Sequence, residues 1–144
     1  MIVENKITED NIESLEGLGI YIISINDPVG WNEQADFTDK QLSNVLTLNF
    51  ADLRVDLTSD ELCKTKPIKL IDDVDIDMIH NFINKIKLVD NFTLYIHCHA
   101  GISRSAAVGL FAYEELLNKT YDDFIKDNPK TAYNKIIYQK LIKK

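Results

Sequence analysis

One stretch constrains this chain more than any other. Phe92-Thr93-Leu94-Tyr95-Ile96 is an apolar run with strand character, and it passes directly into His97-Cys98-His99-Ala100-Gly101-Ile102-Ser103-Arg104-Ser105. A helical pattern follows over residues 103–118, rich in Ala106, Ala107, Val108, Leu110 and Phe111. A strand, a short loop and a helix N-terminus in that order make an anion site. The unpaired N–H groups of the first helical turn point at the ligand, and the helix dipole favours negative charge. Successive backbone N–H groups of the loop form a concave nest, and Gly101 lets the loop bend where a side chain would obstruct it.

The remaining pattern supplies a scaffold for that unit. Residues 20–25, Ile-Tyr-Ile-Ile-Ser-Ile, are nearly all apolar and end at Asn26-Asp27-Pro28, which reads as a strand buried on both faces. Residues 44–50 are a second strand. Between residues 72 and 89 the period becomes helical, with Met78, Ile79, Phe82, Ile83 and Ile86 on one face. Asp72, Asp73, Asp75 and Asp77 crowd the start of that helix, which suits its positive end better than a metal site, because no spaced oxygen-ligand loop with a turn glycine is present. A short helix is expected over residues 8–16, capped by Thr8 and stopped by Gly17 and Gly19. Two more fall near 121–127 and 134–142, divided by Asn128-Pro129. The expected architecture is α/β: a central, mostly parallel sheet of about four to five strands flanked by helices, with residues 1–144 forming one domain.

Charge sets a tension. The 144 residues carry a net charge of −7, which argues against nucleic acid as a partner. Residues 1–118 hold 9 basic and 20 acidic side chains, whereas residues 119–144 hold 7 Lys against Asp122, Asp123 and Asp127. Phosphate binding survives this balance, because it needs one Arg, a helix N-terminus and a few N–H groups at close range. The acidic surroundings are expected to repel polyanions and to favour substrates with neutral or basic flanks. No apolar run approaches 18 residues, so no membrane span is expected. Met1-Ile2-Val3-Glu4 has no basic stretch leading into an apolar core, and two cysteines do not make a disulfide scaffold. A cytoplasmic location with reduced thiols is expected.

Two residues give the loop its chemistry. Cys98 stands at the strand end, facing the cradle, where donors that bind an oxyanion also favour thiolate. Arg104 returns after five intervening residues with a planar, permanently charged fork that can hold two phosphate oxygens at once. A nucleophile beneath a bound tetrahedral anion is the arrangement for in-line attack on phosphorus.

His97-Cys98, five residues, then Arg104-Ser105 resembles the signature of the cysteine-based protein tyrosine phosphatases, and HCHAGISRS is similar to the dual-specificity branch, whose loops commonly read HCxAGxSRS. The resemblance is sharpest over residues 94–110, and the other strands and the long helix fall in the family's order. It implies a metal-independent phosphomonoester hydrolase that needs no cofactor. Cys98 is then the nucleophile that forms a cysteinyl-phosphate, and Arg104 binds the phosphoryl oxygens. The N–H groups of His99, Ala100, Gly101, Ile102, Ser103 and Arg104 complete the cradle, while His97 and Ser105 support the thiolate. The family also uses an Asp general acid on a loop after the strand that precedes the long helix. Here that is Asp52, with Asp56 second and Asp60 third. Asp52 lies 46 residues before Cys98, farther than is usual in small dual-specificity enzymes, and the polar segment 53–69 accounts for the distance as an insertion.

The loop lacks the Lys of inositol-lipid phosphatases, and the chain is too short for the added pocket-deepening loop of classical tyrosine-specific domains. A shallow pocket is implied, open to phosphoserine and phosphothreonine as well as phosphotyrosine, in a phosphorylated protein or a small phosphate ester. Two other classes stay open: a phosphate-binding pseudophosphatase acting as an interaction module, and sulfur transfer or arsenate reduction. Elsewhere, Cys63 reads as an incidental thiol, His80 as a satisfied helix histidine, Trp31 as a core cap or cleft wall, and Tyr113, Tyr121, Tyr133 and Tyr138 as packing residues. Asn134, at the start of the last helix, is within reach of the phosphate loop.

Overall fold

The computed structural model describes residues 1–4, 19–28, 44–52, 69–99 and 102–143. The expected helix over 8–16, and Trp31, Asp56, Asp60, Cys63, Ala100 and Gly101, lie outside the described residues.

Four strands form the sheet: β1 (Ile2–Glu4), β2 (Ile20–Asn26), β3 (Val45–Asn49) and β4 (Thr93–His97). Their spatial order is β1-β4-β2-β3; β2 runs parallel to both β3 and β4, and β1 runs antiparallel to β4. The register aligns Ile23 with Leu46 on one side and Ile96 on the other. Ile25, Leu48 and Leu94 share that buried face. As the continuous apolar run of β2 predicts for a central parallel strand, its other face is also closed, with Ser24 and Asn26 buried. Those two polar groups satisfy each other, Asn26 Nδ2 donating to Ser24 Oγ at 3.1 Å. Gly19 opens β2 with φ +63°, and a Cβ there would stand 2.3 Å from the Asn91 carbonyl oxygen, so only glycine fits the turn.

Helix α1 (Asp73–Lys87) crosses from β3 to β4. Its acidic start is a cap: the Asp72 side chain accepts from the Asp75 N–H at 2.9 Å, and the Asp75 carboxylate accepts from the Asp72 N–H at 3.1 Å. That accounts for two of the four aspartates without a metal. The buried stripe is Ile76, Ile79, Phe82, Ile83 and Ile86. Met78 departs from expectation, being 40% exposed; one position before Ile79, it turns outward and Ile76 takes the inner place. Helix α2 (Arg104–Leu117) packs deep, with every residue from Arg104 to Tyr113 buried. Two short helices, α3 (Tyr121–Asp127) and α4 (Lys135–Ile142), lie against it. His80 of α1 is a satisfied core-edge histidine, its Nε2 2.8 Å from the Leu141 carbonyl oxygen and its ring against Phe111. Tyr113 packs edge-on to Phe124, and Tyr133 lies between Tyr121 and Tyr138.

Candidate active site

Because β2, β3 and β4 are parallel, their carboxyl ends gather at one edge, where ligands of open α/β sheets bind. Three segments leave from that edge: Asp27 after β2, Phe50-Ala51-Asp52 after β3, and His97-Cys98-His99 at the end of β4. Helix α2 then starts at Arg104.

Cys98 is buried, and its thiol donates to Ser105 Oγ at 3.2 Å. When the sulfur is a thiolate the direction reverses and the Ser105 hydroxyl donates. Ser105 is fully buried in the first turn of α2, so its hydroxyl is held against the sulfur. Burial of the His97 ring holds its pKa below the ordinary value of 6.5, against the opposing pull of a hydrogen bond with the Cys98 backbone. His97 thus favours its neutral form beside the loop, so it can support the cysteine by hydrogen bonding more readily than by charge.

Arg104 is 5% exposed. Its Nη1 donates to the Phe50 carbonyl oxygen at 2.9 Å and pairs with Asp27 Oδ1 at 2.9 Å. Its Nε is the one buried side-chain nitrogen or oxygen among the described residues with no hydrogen-bond partner. A buried N–H left unmade in this way costs stability. One end of the guanidinium is therefore anchored by the ends of β2 and β3, while a donor on its side edge is left over.

Ser103 occupies the N-cap position of α2, yet its side chain makes no cap hydrogen bond. Its hydroxyl donates instead to Asp52 Oδ1 at 2.8 Å. The same oxygen accepts from Asn134 Nδ2 at 2.9 Å. Asp52 is held at its own base as well, because the Ala51 N–H donates to the Lys69 carbonyl oxygen at 2.8 Å, and Lys69 Nζ in turn binds Asp75 of α1. Ala132 and Asn134 donate backbone N–H groups to the carbonyls of Ile102 and Ser103 at 3.0 and 3.1 Å, so the segment before α4 lines the loop.

The structure thus brings together Cys98, Ser103, Arg104, Ser105 and Asp52 of the expected site, with His97 and His99 at the strand end and an exposed Ile102 at the rim. Ala100 and Gly101 are outside the described residues. Asp27 was missed in sequence; its only signal was its place after the buried strand β2, where it also reads as a turn residue. Among the described residues no three His, Cys, Asp or Glu side chains gather in a group able to hold a metal ion, and no helix is long and apolar enough to cross a membrane.

No family model matches the chain, and no curated protein matches it. The fold does have solved counterparts. The crystal structure of the human tyrosine phosphatase-like serine/threonine/tyrosine-interacting protein superposes with a TM-score of 0.55 at 24% identity, over 90% of this chain and 78% of that one. The architecture is accordingly the α/β fold of a tyrosine phosphatase-like protein.

Proposed function

We propose that the chain is a phosphomonoester hydrolase of the dual-specificity type, acting through a cysteinyl-phosphate without a metal or cofactor. The observation that carries this reading is the buried, unpartnered Nε of Arg104, six residues after Cys98 at the start of α2. A phosphoryl oxygen is the acceptor it lacks.

The steps follow from the side chains. The Cys98 thiolate donates its electron pair to phosphorus, forming the S–P bond as the P–O bond to the leaving group breaks. The electron pair of that bond passes to the leaving oxygen, which takes a proton from Asp52. Arg104 and the loop N–H groups hold the equatorial oxygens as charge builds on them. Water then attacks phosphorus and gives a proton to the Asp52 carboxylate, and the S–P bond breaks. The sulfur leaves as thiolate, stabilised by the Ser105 hydroxyl. The products are an alcohol or phenol and inorganic phosphate. The substrate is a phosphorylated protein or small phosphate ester with neutral or basic flanks, handled by residues 1–144 as one catalytic domain in the cytoplasm.

A second reading draws on the matched human protein, which is named phosphatase-like and interacting. On that reading this chain binds a phosphorylated partner through the same loop without turning it over. Turnover of p-nitrophenyl phosphate in the presence of EDTA, compared between the wild type and Cys98→Ser, separates the two. The hydrolase reading expects activity that survives EDTA and disappears in Cys98→Ser while phosphate still binds. Phosphate binding with no turnover by the wild type supports the binding module instead.

A further inference from the structure

We infer that Asn134 is a positioning residue for Asp52, orienting the carboxyl group so that its proton faces the leaving oxygen. This rests on the hydrolase reading above. Asp52 is exposed, and a carboxylate on a loop would ordinarily sample several rotamers. Here one oxygen, Oδ1, accepts from two donors on separate elements: Ser103 Oγ at 2.8 Å and Asn134 Nδ2 at 2.9 Å. In the protonated acid, an oxygen that accepts two hydrogen bonds is the carbonyl oxygen, so the hydroxyl falls on Oδ2. Two donors at Oδ1 therefore fix both the rotamer and the atom that carries the proton.

Asn134 is well suited to this because it is itself immobile. It is 2% exposed. Its Oδ1 accepts from the Ile137 N–H at 3.1 Å as the N-cap of α4, and its own N–H donates to the Ser103 carbonyl oxygen at 3.1 Å. The side-chain amide thus works in two directions: its oxygen caps a helix and its nitrogen holds the acid. The N-cap role alone calls for Asn, Asp or Ser equally; the contact with Asp52 needs an amide N–H. Ser103 completes the clamp, since its hydroxyl forgoes capping α2 to reach the same oxygen.

The test is a double-mutant cycle with Asn134→Ser, Asp52→Asn and the pair, using kcat/KM for p-nitrophenyl phosphate and for phenyl phosphate, whose leaving group is more basic. Serine keeps an N-cap acceptor and shortens the donor out of reach. The expected result is a loss of roughly tenfold on phenyl phosphate in Asn134→Ser, a much smaller loss on p-nitrophenyl phosphate, and no further loss when Asn134→Ser is added to Asp52→Asn. Ser103→Ala should share the same leaving-group signature, which guards against a folding defect peculiar to position 134. Equal losses on both substrates, or losses that multiply in the double variant, overturn the positioning role while leaving Asp52 as the acid. If Asp52→Asn has no effect on either substrate, the acid assignment itself fails, and the positioning role with it.

Discussion

Arg104 Nη1 and Asp27 Oδ1 stand 2.9 Å apart, both side chains largely removed from solvent. The pair joins the loop that would bind phosphate to the end of the central strand. A buried guanidinium is tolerable only when its charge is compensated, and among the described residues Asp27 is the carboxylate that does so. Removing one partner of such a pair leaves the other uncompensated. Asp27→Asn keeps an acceptor at the same place and removes the charge, so it should lower stability by about 1–3 kcal/mol. Inorganic phosphate should then raise the melting temperature of Asp27→Asn more than that of the wild type, because the anion replaces the missing charge. Thermal unfolding with and without phosphate measures both effects; equal shifts would show that phosphate does not reach Arg104.

The fold was legible wherever burial wrote a period into the sequence. Strands β2, β3 and β4 and helices α1 and α2 follow from apolar runs and from three- and four-residue spacing. Strand β1 did not, because three residues at a sheet edge carry no period, and its place is set by the Ile2–Tyr95 register. The site divided in the same way. Cys98, Arg104 and Ser105 lie within one contiguous stretch of eight residues, from the end of β4 into the first turn of α2, so their spacing is visible. Asp52 could be placed by its position after β3. Asp27 could not be given a role, since its partner Arg104 is 77 residues away and the meeting of parallel strand ends brings them together; Asn134 could be read as near the phosphate loop, but not its contact with Asp52, 82 residues away.

Gly19 should be irreplaceable. Its φ of +63° disfavours any side chain, and the Asn91 carbonyl oxygen, a backbone atom just before β4, occupies the space a Cβ would need. Both effects act against Gly19→Ala, which should destabilise the protein by about 2–4 kcal/mol. Gly109→Ala makes a contrast, because the nearest obstruction is the Met1 sulfur at the end of a flexible side chain. Urea unfolding of the two variants should rank Gly19→Ala as clearly the less stable.

Stability should fall on the acid side partly through His97. Burial depresses its pKa from the ordinary 6.5. As pH drops below about 6.5 the unfolded chain therefore takes up this proton before the folded one does. The histidine's contribution is fully present above that pH and is lost as pH falls through the depressed folded value. Replacing His97 with Gln should flatten the decline in unfolding free energy between neutral and mildly acidic pH. An unchanged slope would mean that the ring titrates normally in the folded protein.

On the proposed hydrolase mechanism, Ser105 offers the sharpest separation of the two chemical steps. Its hydroxyl lies 3.2 Å from the Cys98 sulfur and is fully buried, so no water can substitute for it without a cavity. In the first step the sulfur gives up negative charge to phosphorus, and a donor to the thiolate then brings little gain. In the second step the sulfur leaves and regains that charge, and the same donor stabilises it as it forms. Ser105→Ala should therefore slow breakdown of the cysteinyl-phosphate by roughly 10- to 100-fold, the scale of one charge-assisted hydrogen bond, while formation changes little. Rapid mixing with p-nitrophenyl phosphate should show a burst of p-nitrophenol of about one equivalent per active site, followed by a slow steady state. A variant whose burst and steady-state rates fall together would show that Ser105 acts on the nucleophile's formation rather than on its release.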